Sequence, residues 1–280
     1  MSTSISSSFV TIFDAEVKQA YQSDRKLAGT VRERAGVQGN TYKFNKLGSG
    51  VANLHIAQSD VTPLNLTHSQ VTATMSDFNA AEYSDIFTSG KVLFDERAEL
   101  AKALSMAIGR RMDQIVIDAL DGAGTSLTVA NSIGGSATNL NVDKVLEAKK
   151  LMDQKNVPAE GRFFLCHSNN MAAFLDDSDV KTIDVNTTKA LAQGTVDSFL
   201  GFRFISIGDR DEGGLAVDGS NDRTCLAWHQ NSCGLAMNMD KKTEINYIAE
   251  KASFLVNSMF SAGAVGIDTN GIVEITCRES

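Results

Sequence analysis

Between Phe94 and Gly122 (FDERAELAKALSMAIGRRMDQIVIDALDG) the apolar positions Ala101, Leu104, Ile108, Met112, Ile115 and Ala119 step by three and four. That spacing lays one apolar stripe along an α-helix. Asp95 stands where a capping acceptor is needed, Glu96 and Glu99 put negative charge in the first turns, and Gly122 and Gly124 follow the last periodic residue. The pattern predicts a helix of about 26 residues, a rod of roughly 40 Å. Its length exceeds the usual ~11–12 residues, so it crosses a large core or serves as a spine for the rest of the chain.

The other segments are shorter. Phe9, Ile12, Phe13, Val17, Ala20 and Tyr21 predict an amphipathic helix behind a Ser-rich start. Leu27 to Gly39 is basic (Arg32, Arg34, with Arg25 and Lys26 just before it) and broken by Gly29, Gly36 and Gly39. It reads as a solvated arm, or as an arm that contacts acidic neighbours or nucleic acid. Thr41 to Leu47 and Gln70 to Met75 alternate as strands of a polar hairpin with too few large apolar residues for a core of its own. Asp77 to Phe94 reads as a linker with a helical turn at Ala80-Ala81-Glu82-Tyr83.

After the long helix and a Gly/Ser/Thr loop (124–139), Val142, Val145, Leu146, Lys149 and Met152 mark a second helix capped by Asn141 and ended by Asn156. Strands are predicted at Arg162–His167, Phe199–Ile207, Cys225–Trp228, Glu244–Ala249 and Ser253–Phe260. Short helices are predicted at Asn169–Leu175 and Ser232–Met239, and a final hairpin turns at Asp268-Thr269-Asn270-Gly271. Asp176 to Gly194 and Gly208 to Arg223 read as irregular. Helices and strands interleave without a β-α-β period or an internal repeat, so the fold class is α+β.

Charge and composition narrow the function. The 280 residues carry a formal charge of −8 and a pI near 5.1, against the clustered Lys and Arg that tight DNA wrapping requires. No apolar run reaches membrane-spanning length, and the N-terminus MSTSISSSFV lacks the basic and apolar regions of a signal peptide. Cys166, Cys225, Cys233 and Cys277 are widely spaced and read as reduced thiols.

Phosphate-loop, dinucleotide, zinc-protease and hydrolase-elbow motifs are all missing from the sequence. Cys225, His229 and Cys233, at i, i+4 and i+8, suggest a metal only if all three lie on one helix, and a fourth ligand is missing. Cys166 and His167 are adjacent on a strand and point to opposite faces, which suits no nucleophile–base pair. Asp218 to Asp222 spaces oxygen ligands as some calcium loops do, without the distal Glu. Asp209, Asp211 and Glu212 read as a solvated loop, and Arg110 and Arg111 as helix-surface partners for Asp113, Gln114 or Asp118, or as phosphate binders. The expectation is an inert chain with no catalytic residue, no cofactor-binding residue and no metal ligand.

The order of segments is informative where single motifs are not. LAGTVRERAGVQGNTYKF (27–44), IGRRMDQIVIDAL (108–120), VPAEGRFFLCHSNNMAAFL (157–175), VDSFLGFRFISIG (196–208) and a strand-rich end (244–277) follow one another over most of the chain. In this the sequence resembles the major capsid proteins of tailed bacteriophages, with the Hong Kong 97-type shell fold. The resemblance implies an N-terminal arm at 1–38, a protruding hairpin (the E-loop) at 39–78 that overlaps a neighbouring subunit, and a peripheral domain at 79–140 and 242–280 carrying the spine helix at 94–121. It also implies an axial domain at 141–241.

From the same resemblance come self-assembly into hexameric and pentameric capsomers of an icosahedral head shell that encloses double-stranded DNA without sequence-specific binding. A portal, decoration proteins and a separate scaffolding protein are implied as partners, the last because no long scaffolding segment fits before residue 39. The implied location is the virion, after assembly in the host bacterial cytoplasm, with no membrane partner. The rival readings are an encapsulin-like nanocompartment shell and an enzyme built on the Cys225/His229/Cys233 set.

Overall fold

The structure, a computed structural model, describes residues 22–279 other than 59, 90, 92–94, 178, 179, 181–197, 211 and 213. The expected N-terminal helix from Phe9 to Tyr21, and most of the stretch Asp176 to Gly194, lie outside these residues.

In chain order the strands are β1 (Arg32–Arg34), β2 (Thr41–Leu47), β3 (His68–Thr74), β4 (Ser76–Asp85), β5 (Thr128–Val129), β6 (Arg162–His167), β7 (Ser198–Phe199), β8 (Phe202–Ile207), β9 (Asp222–His229), β10 (Cys233–Ile248), β11 (Ser253–Gly266) and β12 (Ile272–Arg278). The helices are α1 (Ile86–Ser89), α2 (Glu96–Asp121), α3 (Val142–Gln154) and α4 (Ser168–Asp176). The strands form a four-stranded sheet in the order β1-β10-β11-β4, a six-stranded sheet in the order β5-β12-β9-β6-β8-β7, and the separate hairpin β2-β3.

Helix α2 is the predicted spine. Asp95 caps it by accepting from the Ala98 N–H, and Gly122 closes it. The apolar stripe describes only part of its surroundings. Ile108 and Met112 are buried as expected, but so are Val116, Ile117, Leu120 and the polar Gly109-Asp113-Gln114 face. The C-terminal half is enclosed on several sides, because the four-stranded sheet covers one face and residues 24–27 and 210–215 cover another.

The segment 27–39 is therefore no solvated arm. Leu27 and Val31 are buried, β1 pairs in parallel with Gly234–Ala236 of β10, and the Trp228 Nε1–H donates to the Thr30 carbonyl at 2.9 Å. The basic residues misled the reading. Arg25 is ion-paired with Glu33 and Lys26 donates to the Ser206 carbonyl, so their charges sit on the rim of an apolar anchor.

The six-stranded sheet is covered on both faces, which explains why all six residues of RFFLCH are buried. Period-two alternation divides it between two cores. Phe163, Leu165, Leu226 and Trp228 face α2 and the four-stranded sheet, while Phe164, Cys166, Cys225, Ala227, Val273 and Ile275 face α3 and α4. Asn141 caps α3 as predicted, accepting from the Lys144 N–H.

Four expected elements take another form. Ala80 to Tyr83 is no helical turn: β4 pairs with β11 from Ser76 to Asp85, and ten residues of ladder outweigh the helix preference of two alanines. Ser232 to Met239 is no helix, because Cys233 opens a sixteen-residue strand pairing with β11 and, at its start, with β1. Phe199 to Ile207 is two strands, with Leu200 and Gly201 both at positive φ in the turn between β7 and β8. The final hairpin is absent: β11 and β12 belong to different sheets, and Asp268 caps a short 3-10 turn where the chain crosses between them.

Two stability predictions follow from the burial around α2 and β11. Asp113→Ala should lower the unfolding free energy by about 3–5 kcal/mol, since it strands the Arg210 charge and two backbone N–H groups. A thermal melt unchanged from the parent would refute that role for Asp113. A Cβ on Gly263 would stand 2.0 Å from the Thr74 carbonyl oxygen, so Gly263→Ala should destabilise by ~1–3 kcal/mol. Urea unfolding checks this, and an equal or higher midpoint would contradict it.

Candidate functional site

The residue sets with chemical possibilities are dispersed or consumed by the fold. Cys225 lies on β9 in the core under α3, Cys233 opens β10 in the core under α2, and the His229 Nδ1 accepts from the Asn231 N–H. The spacing that would unite them needs a helix, and the chain here is two strands. Among the described residues no group of three His, Cys, Asp or Glu is placed to hold a metal.

Cys166 and His167 do point to opposite faces. Cys166 packs in the α3 core, where burial pushes its thiol up to about 12, while the His167 Nε2 stands 3.2 Å from Asp209 and its Nδ1 3.6 Å from Glu279.

The calcium-like spacing at Asp218–Asp222 is spent internally. Asp218 Oδ1 accepts from the Ser220 and Asp222 N–H groups, and Asp222 binds Arg278 and Asn131. The hydrogen bonds from Arg278 hold the Asp222 carboxyl below its ordinary pKa. Arg110 and Arg111 ignore the partners expected on their own helix. Arg110 donates to the Gln22 Oε1 and the Ser23 carbonyl, and Arg111 stacks 4.7 Å over the Phe78 ring.

One cluster escaped the sequence reading. Cys166, Cys225 and Cys277 come from three adjacent strands and meet on the α3 face beside buried Lys144. The only signal was their alternation with residues of the other face. The Lys144 ammonium donates to the Thr138 and Thr276 carbonyls at 2.6 and 2.9 Å, and burial lowers its pKa. Cys225 donates to Asn170 Oδ1 and its own ionisation is pushed up by its contact with Cys277 and by burial. All four thiols are free and buried. Without solvent access they act as small core side chains.

What the fold leaves outside is different in kind. Hairpin β2-β3 is fixed at its base, where Phe44, Ala73 and Met75 pack on Ala236 and Ile267. The Phe44 ring fills the notch at Gly234, where a Cβ would come within 2.6 Å of it. The Lys46 ammonium meets the Asp268 carboxylate at 2.8 Å. Beyond this anchor residues 48–67, residue 59 aside, form neither helix nor strand, and Leu54, Val61 and Val51 are 91%, 85% and 82% exposed. The β4 strand begins at Ser76, inside the range expected for the hairpin. A second apolar surface lies at the far end of the four-stranded sheet, where Tyr83, Phe87, Ile245 and Tyr247 are exposed. An exposed apolar patch with a rigid base marks an interaction surface.

Comparison with known proteins gives these surfaces a context. A family model described as phage capsid protein matches residues 5–279. No curated protein matches the sequence. Among solved structures, the head of Helicobacter pylori bacteriophage KHP40 superposes with a TM-score of 0.80 at 11% identity, covering 99% of this chain and 98% of that one. The capsid of cyanophage P-SCSP1u gives 0.78 at 15% identity over 97% and 94%. Mycobacterium phage Che8 gives 0.74 at 15% identity over 96% and 97%. With the family model spanning nearly every residue and the same architecture in these shells, the chain belongs to the phage capsid protein family.

Proposed function

We propose that the chain is the major capsid protein of a tailed-phage head, a structural subunit that self-assembles into hexameric and pentameric capsomers through exposed arms and sheet edges. The observation that carries this reading is the hairpin at about 39–78, in which a firmly seated base presents an apolar tip to solvent. A monomer gains nothing from that arrangement, because ordering about 20 tip residues costs entropy that no contact of its own repays. Laid on a neighbouring subunit, the same tip buries its apolar side chains.

The body divides, in this reading, into a peripheral part (79–140 and 242–280) carrying α2 and an axial part (141–241) at the capsomer centre. A head–tail contact between unlike surfaces closes into rings. The net charge of −8 suits a wall that encloses packed DNA without gripping it. A separate scaffolding protein and a portal act during assembly in the host cytoplasm, and decoration proteins join the finished virion. No residue acts as a catalyst.

Replacing Gly48–Asp60 with a short Gly/Ser linker tests the hairpin. The shortened chain should remain soluble and melt cooperatively near the parent temperature by circular dichroism, while electron microscopy shows no closed shells. Normal shells, or a chain that fails to fold, would overturn the assignment.

The non-catalytic reading predicts inert thiols. With Cys166 and Cys233 pushed up to about 12 by burial, only about one in 10⁴ is a thiolate at pH 8. Ellman titration without reductant should therefore count no thiol in the native protein and four after denaturation. A fast-reacting thiol in the folded chain would point to chemistry.

A further inference from the structure

We propose that the hairpin tip of one copy, near Val51–Ala57, docks as an added strand along the distal edge of β10, Thr243–Ile248, in a second copy. The inference rests on the reading of the chain as a shell subunit and names the counter-surface for its hairpin.

The distal half of β10 is an unfinished edge. Among the described residues its outer side pairs only with β1, and only at Gly234–Ala236, so from there to Ile248 that side faces solvent. The first part of this open edge is guarded in the way single proteins guard edges. The ladder with β11 is irregular between Met237 and Lys242, and Lys241 and Lys242 stand there. From Thr243 to Ile248 the pairing with β11 is regular and the guards stop. Glu244 is already paired with Lys242, and Ile245 and Tyr247 are 46% and 53% exposed. The opposite edge, β4, carries Asp77, Glu82 and Asp85 along its length and is the poorer acceptor of an apolar strand.

The tip supplies the complementary half. VANLHIA at 51–57 has no formal charge, proline or glycine, and includes the β-branched Val51 and Ile56. It runs without secondary structure up to a turn at Ala57-Gln58, with Gln58 at φ 66°. Seven such residues match the six of the open edge, and strand addition gives backbone hydrogen bonds together with side-chain burial.

The two surfaces cannot meet within one copy. The hairpin is seated at the Gly234 end of β10, and the Lys46–Asp268 ion pair shows that it leaves the body past the 266–268 end of β11. Thr243–Ile248 lies toward the opposite end of the same ladder. The fourteen steps from Gly234 to Ile248 span roughly 46 Å at ~3.3 Å each. Tip and edge therefore point away from each other, and joining them head to tail makes a heterologous contact that a ring can close.

Paired cysteines test the contact. Leu54→Cys with Tyr247→Cys in one full-length chain, and independently Val51→Cys with Ile245→Cys, place new thiols on exposed positions, while the native four stay buried. On the capsomers or shells that the parent forms, mild oxidation should give a covalent ladder on non-reducing gels rising to pentamer and hexamer for at least one pair. Each single variant should stay at the parent's monomer band. Ile245→Asp should keep the parent's melting temperature within a few degrees and lower the yield of assembled particles at least tenfold. Assembled particles with no ladder from either pair, or Ile245→Asp assembling at the parent's yield, would overturn the contact and leave the shell reading standing. A parent chain that stays monomeric under all assembly conditions would overturn both.

Discussion

One buried carboxylate sets the relation between the parts of this molecule. Asp113, fully buried in the middle of α2, accepts from the Lys26 and Leu27 backbone N–H groups at 2.8 and 3.0 Å and is paired with Arg210 at 3.0 Å. A lone carboxylate in that position would be prohibitively costly, so the N-terminal segment and the loop after β8 must both come to it. Gly109, one turn earlier, makes the approach possible, because a Cβ there would stand 2.6 Å from Asp24 Oδ1 and 3.0 Å from the Arg25 nitrogen. Once residues 24–27 are held, Thr30 reaches Trp228 and β1 reaches β10. The helix, the two large sheets and the entering chain are thereby joined at one point.

The same point explains what could be recognised in the sequence and what could not. The GRRMDQ run was conspicuous within the long helical pattern, yet its residues answer to segments far away in sequence. Gly109 admits Asp24 and Arg25, Arg110 holds Gln22 and Ser23, Arg111 covers Phe78, Asp113 holds Lys26 and Leu27, and Gln114 binds Gly214. Helix existence, caps and ends were legible because they depend on local physics: Asp95, Asn141 and Gly122 act where their chemistry predicts. Strands were legible where alternation or a dense apolar run marked them, as in β2, β3 and β6. Ser232–Met239 and Ala80–Tyr83 were misread because their Ala, Leu and Met residues favour helix locally, and only pairing with β11 decides otherwise. The basic stretch before β1 was misread because charge was visible and burial of Leu27 and Val31 was not.

For the functional surface, the polar, core-poor character of 41–75 correctly set the hairpin apart, while its anchoring through Phe44 and Gly234 could not be seen without the partner strand. The distal edge of β10 was invisible for a related reason. An open edge is defined by the strands that fail to cover it, and no residue pattern in TEINYI records that absence.

The position of β12 carries a temporal consequence. This last strand lies inside the six-stranded sheet, between β5 and β9, and Glu279 beyond it clasps Arg223. Until residues 272–278 leave the ribosome, β5 has no neighbour and β9 one bare edge, and the core beneath α3 lacks the wall formed by Val273, Ile275 and Cys277. Nascent chains on a polysome, however crowded, therefore lack a finished body on which a neighbour's arm could settle, and the order of synthesis itself separates making subunits from joining them.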